Sequence, residues 1–257
     1  MNEKNNLKDI LVDHFDNDAL NQLDKNNLNI FGSESNGEFF QEPYKYVENE
    51  LMNNISSKKI LDYCCGTGIY SIFPAINGAG VVGIDFSKES IEVARKRAQY
   101  FNVSNQCKFS IMDAENLNFE DNVFDIILSY GSLSYLDLHK AFRELRRVLK
   151  PEGLLVIIDS LGHNPLTNYN RKRNLKNYVP DHINELSSLK KKDIDISLNY
   201  FNSLTIHYFD FFTLAGSLIN NKFGIRVKPR ILTRLDHYLF KVPFNNKLAF
   251  KFVGVLK

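Results

Sequence analysis

Asp62-Tyr-Cys-Cys-Gly-Thr-Gly68 sets a carboxylate, two adjacent thiols and two closely spaced glycines side by side at the end of an apolar run. Two chemistries compete for such a stretch. One is thiol redox or metal chemistry at Cys64 and Cys65; the other is a loop whose backbone comes close to a ligand. Cysteine usage argues against the first. The chain holds three cysteines; neighbours in sequence rarely reach disulfide geometry, and Cys107 has neither a Cys-x-x-Cys partner nor a Cys/His cluster around it. No metal site is expected, and a reducing, cytoplasmic compartment is. Gly66 and Gly68 suit the second chemistry, because residues without a Cβ let backbone approach a ligand and the following helix offers free amides. Two more acids complete the pattern: Asp85 and Asp113 each close a later apolar run. A carboxylate in such a place can accept both hydroxyls of a ribose with its two oxygens. Each acid alone is as readily a turn residue or helix N-cap; three in series at three run ends are less readily explained that way.

Positioning these groups requires a regular frame, and the hydrophobic pattern supplies one. Apolar, β-rich runs occur at 58–64 (KKILDYC), 79–85 (AGVVGID), 123–130 (VFDIILSY) and 153–159 (GLLVIID), with a weaker one at 107–113 (CKFSIMD). Between them, 87–100 carries Ile91, Ala94 and Ala98 at helical spacing, and 138–149 carries Phe142, Leu145 and Leu149 before Pro151 and Gly153 stop it. Alternating strand and helix implies right-handed crossovers and a mainly parallel sheet covered on both faces. Ligands of such sheets lie beyond the carboxyl ends of the strands, where Asp62, Asp85, Asp113 and the pair Ser129-Tyr130 stand. Short basic clusters at 95–97, 171–173 and 190–192 read as solvated faces.

Four blocks, ILDYCCGTG, VVGIDFS, MDAENLNFEDNVFDIILSYGSLSYL and FRELRRVLKPEGLLVII, spread over about residues 56–160, resemble the class I S-adenosylmethionine-dependent methyltransferases of the small-molecule type. The resemblance implies a Rossmann-like α/β fold with seven strands, mostly parallel, helices on both faces and an antiparallel last strand. It implies S-adenosylmethionine as cofactor. Asp62, Cys64, Gly66 and Gly68 would then lie under the methionine part, Asp85 would hold the ribose, and Phe86 would lie against adenine. Asp113 and Ala114 would meet the exocyclic amine edge of adenine, and Ser129 and Tyr130 would flank the methionine end. Cys64 stands where the family usually has the first glycine of the loop, and Cys65 where a cysteine is common, so neither needs to be a nucleophile. Two departures are visible. A side chain at Cys64 must point away from the cofactor or narrow its site, and Pro74 falls inside the first expected helix, which it should kink. A nicotinamide-dependent dehydrogenase is the rival reading, since Gly66-Thr-Gly68-Ile-Tyr-Ser71 nearly matches Gly-x-Gly-x-x-Gly/Ala with Asp85 at a plausible spacing. Ser71 in the third small position, Asp62 before the loop and the block RVLKPEGLL count against it.

The additions to this core should supply the acceptor site. Residues 1–55 read as a lid of two or three helices, with Tyr44 and Phe40 as its cofactor-facing rings; 56–257 read as the methyltransferase domain, with a lid-like insertion at about 162–198. The aromatic stretch 200–219 reads as a late strand running into a helix, and 248–257 as the last strand. Gly162-His-Asn-Pro165 resembles a subgroup of bacterial small-molecule methyltransferases of natural-product or surface-glycan pathways. His163, four residues past the fifth strand, is the candidate general base, since imidazole is the side chain that exchanges protons near neutral pH; the rival reading is a turn histidine bonded to backbone. His207 and His139 are weaker choices. The expected reaction is methyl transfer to O or N of a small-molecule metabolite. No Asn/Asp-Pro-Pro-aromatic motif follows the fourth strand, where Ser129-Tyr-Gly-Ser132 stands, and no basic groove with interleaved aromatics is visible, so neither nucleic acid nor protein is the expected substrate. With 257 residues, 44% hydrophobic, 24% charged and a formal charge of +2, the chain is ordinary globular material, monomer or homodimer. No apolar run approaches membrane-spanning length, and the N-terminus lacks a signal-peptide h-region; no membrane partner is expected. A non-catalytic relative that uses the fold as a scaffold is the remaining alternative.

Overall fold

The computed structural model describes residues 2–24, 27–53, 55–164, 189–224 and 227–257. The apolar runs become strands β1 (Lys59–Tyr63), β2 (Gly80–Asp85), β3 (Cys107–Ile111), β4 (Phe124–Tyr130) and β5 (Leu149–Ser160). With β6 (Leu204–Phe209) and β7 (Lys251–Leu256) they form one seven-stranded sheet of order β3-β2-β1-β4-β5-β7-β6. Strands β1 to β5 pair in parallel, and β7 runs antiparallel to both β5 and β6. This is the expected Rossmann-like α/β sheet with its antiparallel last strand. Its switch point lies between β1 and β4, which puts the carboxyl ends of β1, β2 and β4 around one crevice.

Alternation along β1 sorts the two cores. Ile60 faces one side with Val81, Ile126 and the helix α4 (Lys88–Tyr100), whose Ile91, Ala94 and Ala98 are buried there. Leu61 and Tyr63 face the other with Ile127 and α5 (Leu138–Val148), whose Phe142 and Leu145 are buried there. Both helices start on side-chain caps: Ser87 Oγ accepts from Ser90 N at 3.0 Å, and Asp137 Oδ1 accepts from His139 N at 3.1 Å. The chain enters β5 directly at Leu149, so Pro151 and Gly153 lie inside a strand, beside the register shift between Phe124 and Ile126, where proline costs no regular ladder bond.

Several expectations change. Pro74 does not kink a long helix, because α3 spans only Ile72–Ile76 and Pro74 falls in its first turn, where an amide has no intrahelical partner to lose. The N-terminal segment, expected as two or three helices, holds a long one, α1 (Asn2–Asp24), packed on α4, and after single turns the short α2 (Glu42–Tyr46). Beyond β5, α6 (Lys191–Asp195) precedes β6, and the expected late strand and helix are β6 and α7 (Phe212–Phe223). Residues 229–248, for which no element was expected, form α8 (Pro229–Leu239) and a 3₁₀ turn at Pro243–Leu248. Of the expected insertion at 162–198, residues 165–188, and with them the basic cluster 171–173, lie outside the described residues. Among the described residues no helix is long and apolar enough to cross a membrane.

Candidate active site at the carboxyl edge of the sheet

Past Tyr63 the backbone turns left-handed at Cys64 (φ +57°), Gly66 (+50°) and Gly68 (+72°). Cys65 N donates to Ile84 O at 2.8 Å and so continues the β1–β2 ladder into the loop. Gly66 N donates to Asp85 Oδ2 at 2.8 Å, and Ser87 N donates to Asp85 Oδ1 at 2.9 Å. Each Asp85 oxygen thus keeps acceptor capacity beyond one backbone donor. The two glycines differ in role. A Cβ on Gly66 would meet nothing within 4 Å, whereas one on Gly68 would stand 2.8 Å from Ala94 Cβ; Gly66 leaves room beside the loop, and Gly68 lets the loop pack onto α4.

A cavity of about 230 Å³ opens over this loop, walled by Asp62, Cys64, Gly66, Asp85, Phe86 and Tyr130. Six residues singled out from sequence therefore meet at one crevice. Tyr70, Ser132 and Tyr135 complete the wall, and Phe15, Asp18 and Gln22 of α1 close it; none of these was singled out. Burial pushes the Asp62 carboxyl up to about 7, against the hydroxyl of Ser71 that donates to it. Asp85 is likewise raised by burial, opposed by the amides of Ser87 and Gly66. Burial drives the thiols of Cys64 and Cys65 far above their ordinary range. A protonated thiol is a poor nucleophile. Among the described residues no cluster of three His, Cys, Asp or Glu side chains could hold a metal.

Arg97 bridges α1 and the loop. Its guanidinium is fully buried, donates to Thr67 O in the loop, and reaches Asn27 O at 3.0 Å and Gln22 Oε1 at 3.4 Å. Gln22 Oε1 in turn accepts from Thr67 Oγ1 at 2.9 Å. At the other end of α4, Asp16 accepts from Ser87 Oγ and from Glu89 N. The basic cluster 95–97, expected to be a solvated face, is therefore divided: Lys96 is exposed and Arg97 is core. Phe15 stands edge-on to Phe86 at 5.9 Å and to Tyr135 at 6.0 Å across the mouth.

The remaining candidates stand outside this wall. Tyr44 lies one layer behind, stacked on Tyr70 at 5.0 Å and edge-on to Tyr130 at 5.8 Å. Its hydroxyl accepts from Lys251 Nζ at 2.6 Å, and burial pushes it up to about 12. Phe40 packs against Phe250. Asp113 Oδ1 accepts from Glu115 N, and Ala114 O accepts from Tyr63 OH. Ser129 Oγ pairs with Ser132 Oγ at 3.0 Å. His163 Nε2 accepts from Lys191 N at 3.0 Å, so the neutral ring carries its hydrogen on Nδ1 and turns its basic lone pair to that amide. His139 pairs with Tyr200 at the surface. His207 pairs with Tyr46 OH at 3.0 Å in a second cavity of about 350 Å³, between β6, α2 and α8.

A family model described as a methyltransferase domain matches residues 61–157. Over this stretch the chain is similar to the class I methyltransferases. The methyltransferase domain so defined contains the loop, Asp85, Asp113 and Tyr130, while α1 and the β6–β7 side lie outside it. Among curated relatives, the demethylmenaquinone methyltransferase of Staphylococcus saprophyticus subsp. saprophyticus is 36% identical over 113 residues, 42% of this chain and 47% of that protein. That of Clavibacter sepedonicus is 38% identical over 106 residues, 41% and 42% of the two chains, and a sterol 4-C-methyltransferase of Caenorhabditis elegans is 30% identical over 124 residues, 48% and 36%. The chain spans about half the length, or less, of these relatives. Among solved structures, geranyl diphosphate C-methyltransferase from Streptomyces coelicolor A3(2) superposes with a TM-score of 0.59 at 15% identity, covering 83% of this chain and 77% of that one. The cyclase SpnF superposes with a TM-score of 0.53 at 20% identity, covering 85% and 82%. At such identities the likeness is one of fold.

Proposed function

We propose that the chain transfers the methyl group of S-adenosylmethionine to oxygen or nitrogen of a small organic metabolite. The observation that carries this reading is Asp85 at the end of β2, with acceptor capacity left on both oxygens, beside a Gly66 whose missing Cβ leaves open space. These residues fit the cofactor: Asp85 accepts the ribose hydroxyls, Phe86 at the mouth lies against adenine, and Asp113 and Ala114 face its amine edge. Asp62, Cys64, Gly66 and Tyr130 surround the methionine part, with Gly68, Ser129 and Tyr44 backing the wall. Bound there, the sulfonium supplies an already reactive methyl group, so the protein's part is to align the acceptor and exclude water. The segment 1–55, through α1, acts as lid, and 162–198 as a cover on the acceptor side. For a hydroxyl acceptor, His163 takes the proton at Nε2, its basic nitrogen, in exchange for the Lys191 amide. The Gly162-His-Asn-Pro165 element supports an acceptor from a natural-product or surface-glycan pathway, and three unpaired thiols support a cytoplasmic setting. A carbon acceptor is the second reading, favoured by the sterol and geranyl diphosphate C-methyltransferases among the similar proteins.

Calorimetric titration with S-adenosylmethionine and its demethylated product tests the reading. The folded chain is expected to bind both, and Asp85→Ala to lose tens- to hundreds-fold in affinity, the worth of about 2 to 3 kcal/mol in charged hydrogen bonds. Binding of neither by the folded chain leaves a scaffold that only borrows the fold. A labelled methyl donor in a metabolite extract then names the acceptor and its methylated atom.

A further inference from the structure

The helix α8 carries three stripes. Leu232 and Asp236 point inward: a Cβ on Gly216 of α7 would fall 2.1 Å from Leu232 Cδ1, and the Asp236 carboxylate accepts from the amides of Phe211, Phe212 and Thr213 at the start of α7. A second stripe, Ile231, Leu235 and Tyr238, continued by Val242, repeats at intervals of four, three and four residues, and all of it faces solvent. Beside it runs a third, Arg230, Arg234, His237 and Lys241, with the same intervals and the same exposure. Rings extend the apolar stripe at both ends: Phe223 closes α7 at 65% exposure, Tyr238 is at 67%, and Phe244 is at 92%. Side chains so large and so bare are not part of the core, and they form one contiguous series along the chain rather than scattered singles.

Charge decides what covers them. Between residues 222 and 247 the sequence has seven Lys or Arg and one acid, Asp236, and that acid is buried on the start of α7. Among the described residues Arg230, Arg234 and Lys241 have no acidic partner. Lys222 Nζ and Lys241 Nζ instead lie over the rings of Phe223 and Tyr238, at 5.5 Å and 5.2 Å from their centroids. A second copy docking by a two-fold axis would set this basic stripe against itself. Single-stranded nucleic acid would use the rings for stacking but gains little from Ile231, Leu235 and Val242, which have no π-face. A bilayer surface uses both stripes at once, with aliphatic and aromatic groups in the acyl boundary and the basic groups at anionic headgroups.

We propose that the face formed by α8, the end of α7 and Phe244 docks on the surface of an anionic lipid bilayer, without crossing it. The expectation of no membrane partner rested on the length of apolar runs and the lack of a signal-peptide h-region; a peripheral face needs neither a long run nor a signal. Here the basic residues are concentrated on one helix pair and are offset by acids elsewhere. This docking stands apart from the methyl-transfer reading, and either can fail without the other.

Flotation with vesicles tests it on the full chain: phosphatidylcholine alone, and an equal mixture of phosphatidylcholine with phosphatidylglycerol, at low and high salt. The chain is expected to float with the mixed vesicles at low salt and to be released by high salt and by neutral vesicles. Arg230→Glu with Arg234→Glu should lower partition by at least about thirtyfold. Ile231→Ser with Tyr238→Ser should also abolish flotation, whereas Lys96→Glu, at an exposed position of α4, should leave it unchanged. All these positions are exposed, so thermal melts should stay close to that of the parent. Equal partition of the parent and both double variants overturns the proposal. So does failure of the parent to float. A concentration-dependent dimer in light scattering that Tyr238→Asp dissolves, without vesicle binding, assigns the face to a second copy. Retention of a single-stranded oligonucleotide by the same side chains, without vesicle binding, assigns it to nucleic acid.

Discussion

Cys64 occupies left-handed backbone at φ +57°, a conformation that costs an L-residue with a Cβ on the order of 1 to 2 kcal/mol. Its thiol packs against the α5-side core and offsets part of that cost. Cys64→Gly is therefore expected to change stability by less than about 1 kcal/mol and to keep cofactor affinity, whereas Cys64→Val, branched at Cβ, should cost more than about 2 kcal/mol; denaturant melts separate the two. A Gly variant that loses cofactor binding would return the thiol to the chemistry. His163 has a sharper test. If it takes the acceptor's proton at Nε2, giving up the Lys191 amide, His163→Ala lowers turnover by about a hundredfold with cofactor affinity unchanged. If its only task is to hold the amide of Lys191, turnover stays within a few-fold of the parent and the melting temperature falls.

At the scale of elements, the chain's legibility follows from how each element is buried. Parallel strands covered on both faces are near-continuous apolar runs, so β1, β2 and β4 and the acids at their ends could be placed from sequence to within a residue or two. The closure by α1 could not. Its sequence is rich in Asn and Asp, its inward residues Leu11, Phe15 and Ala19 are few, and Asp18 and Gln22 look like any solvated polar side chain. Nor does sequence separate Arg97 from Arg95 and Lys96, since one turn of helix decides which of three adjacent cations is swallowed. The structure makes Arg97 the tie between α1 and the glycine loop, with burial lowering its guanidinium to about 10. Arg97→Met should release α1: hydrogen exchange in residues 11–24 should rise, and cofactor affinity should fall by about tenfold or more. Unchanged exchange in that helix would mean that Asp16 and the apolar contacts hold it without Arg97.

Among the described residues burial raises the carboxyls of Asp62, Asp85, Asp210 and Asp236, and it pushes Asp62 and Asp210 up to about 7. Their ordinary value is 3.8, so between about pH 4 and 7 the folded chain holds protons that the unfolded chain has released. The stability they confer is full below about pH 4, declines as pH rises towards 7, and is level above it. Asp210 is the cleaner probe, because it lies on the second cavity and its Oδ2 has no hydrogen-bond partner. Asp210→Asn is expected to melt about 5 °C or more above the parent at pH 8 and to converge with it near pH 4. A variant that melts lower at both pH values would make the ionised form the stabilising one.

The position of β7 has a consequence for how the protein is made. It lies between β5 and β6 and pairs with both, yet it follows both in the chain. During synthesis β5 and β6 leave the ribosome with no strand to join them, and an open edge is a template for pairing with a neighbouring chain. The sheet can close only once residues 251–256 have emerged. Nascent chains stalled before that point should therefore depend on chaperones far more than chains stalled after it.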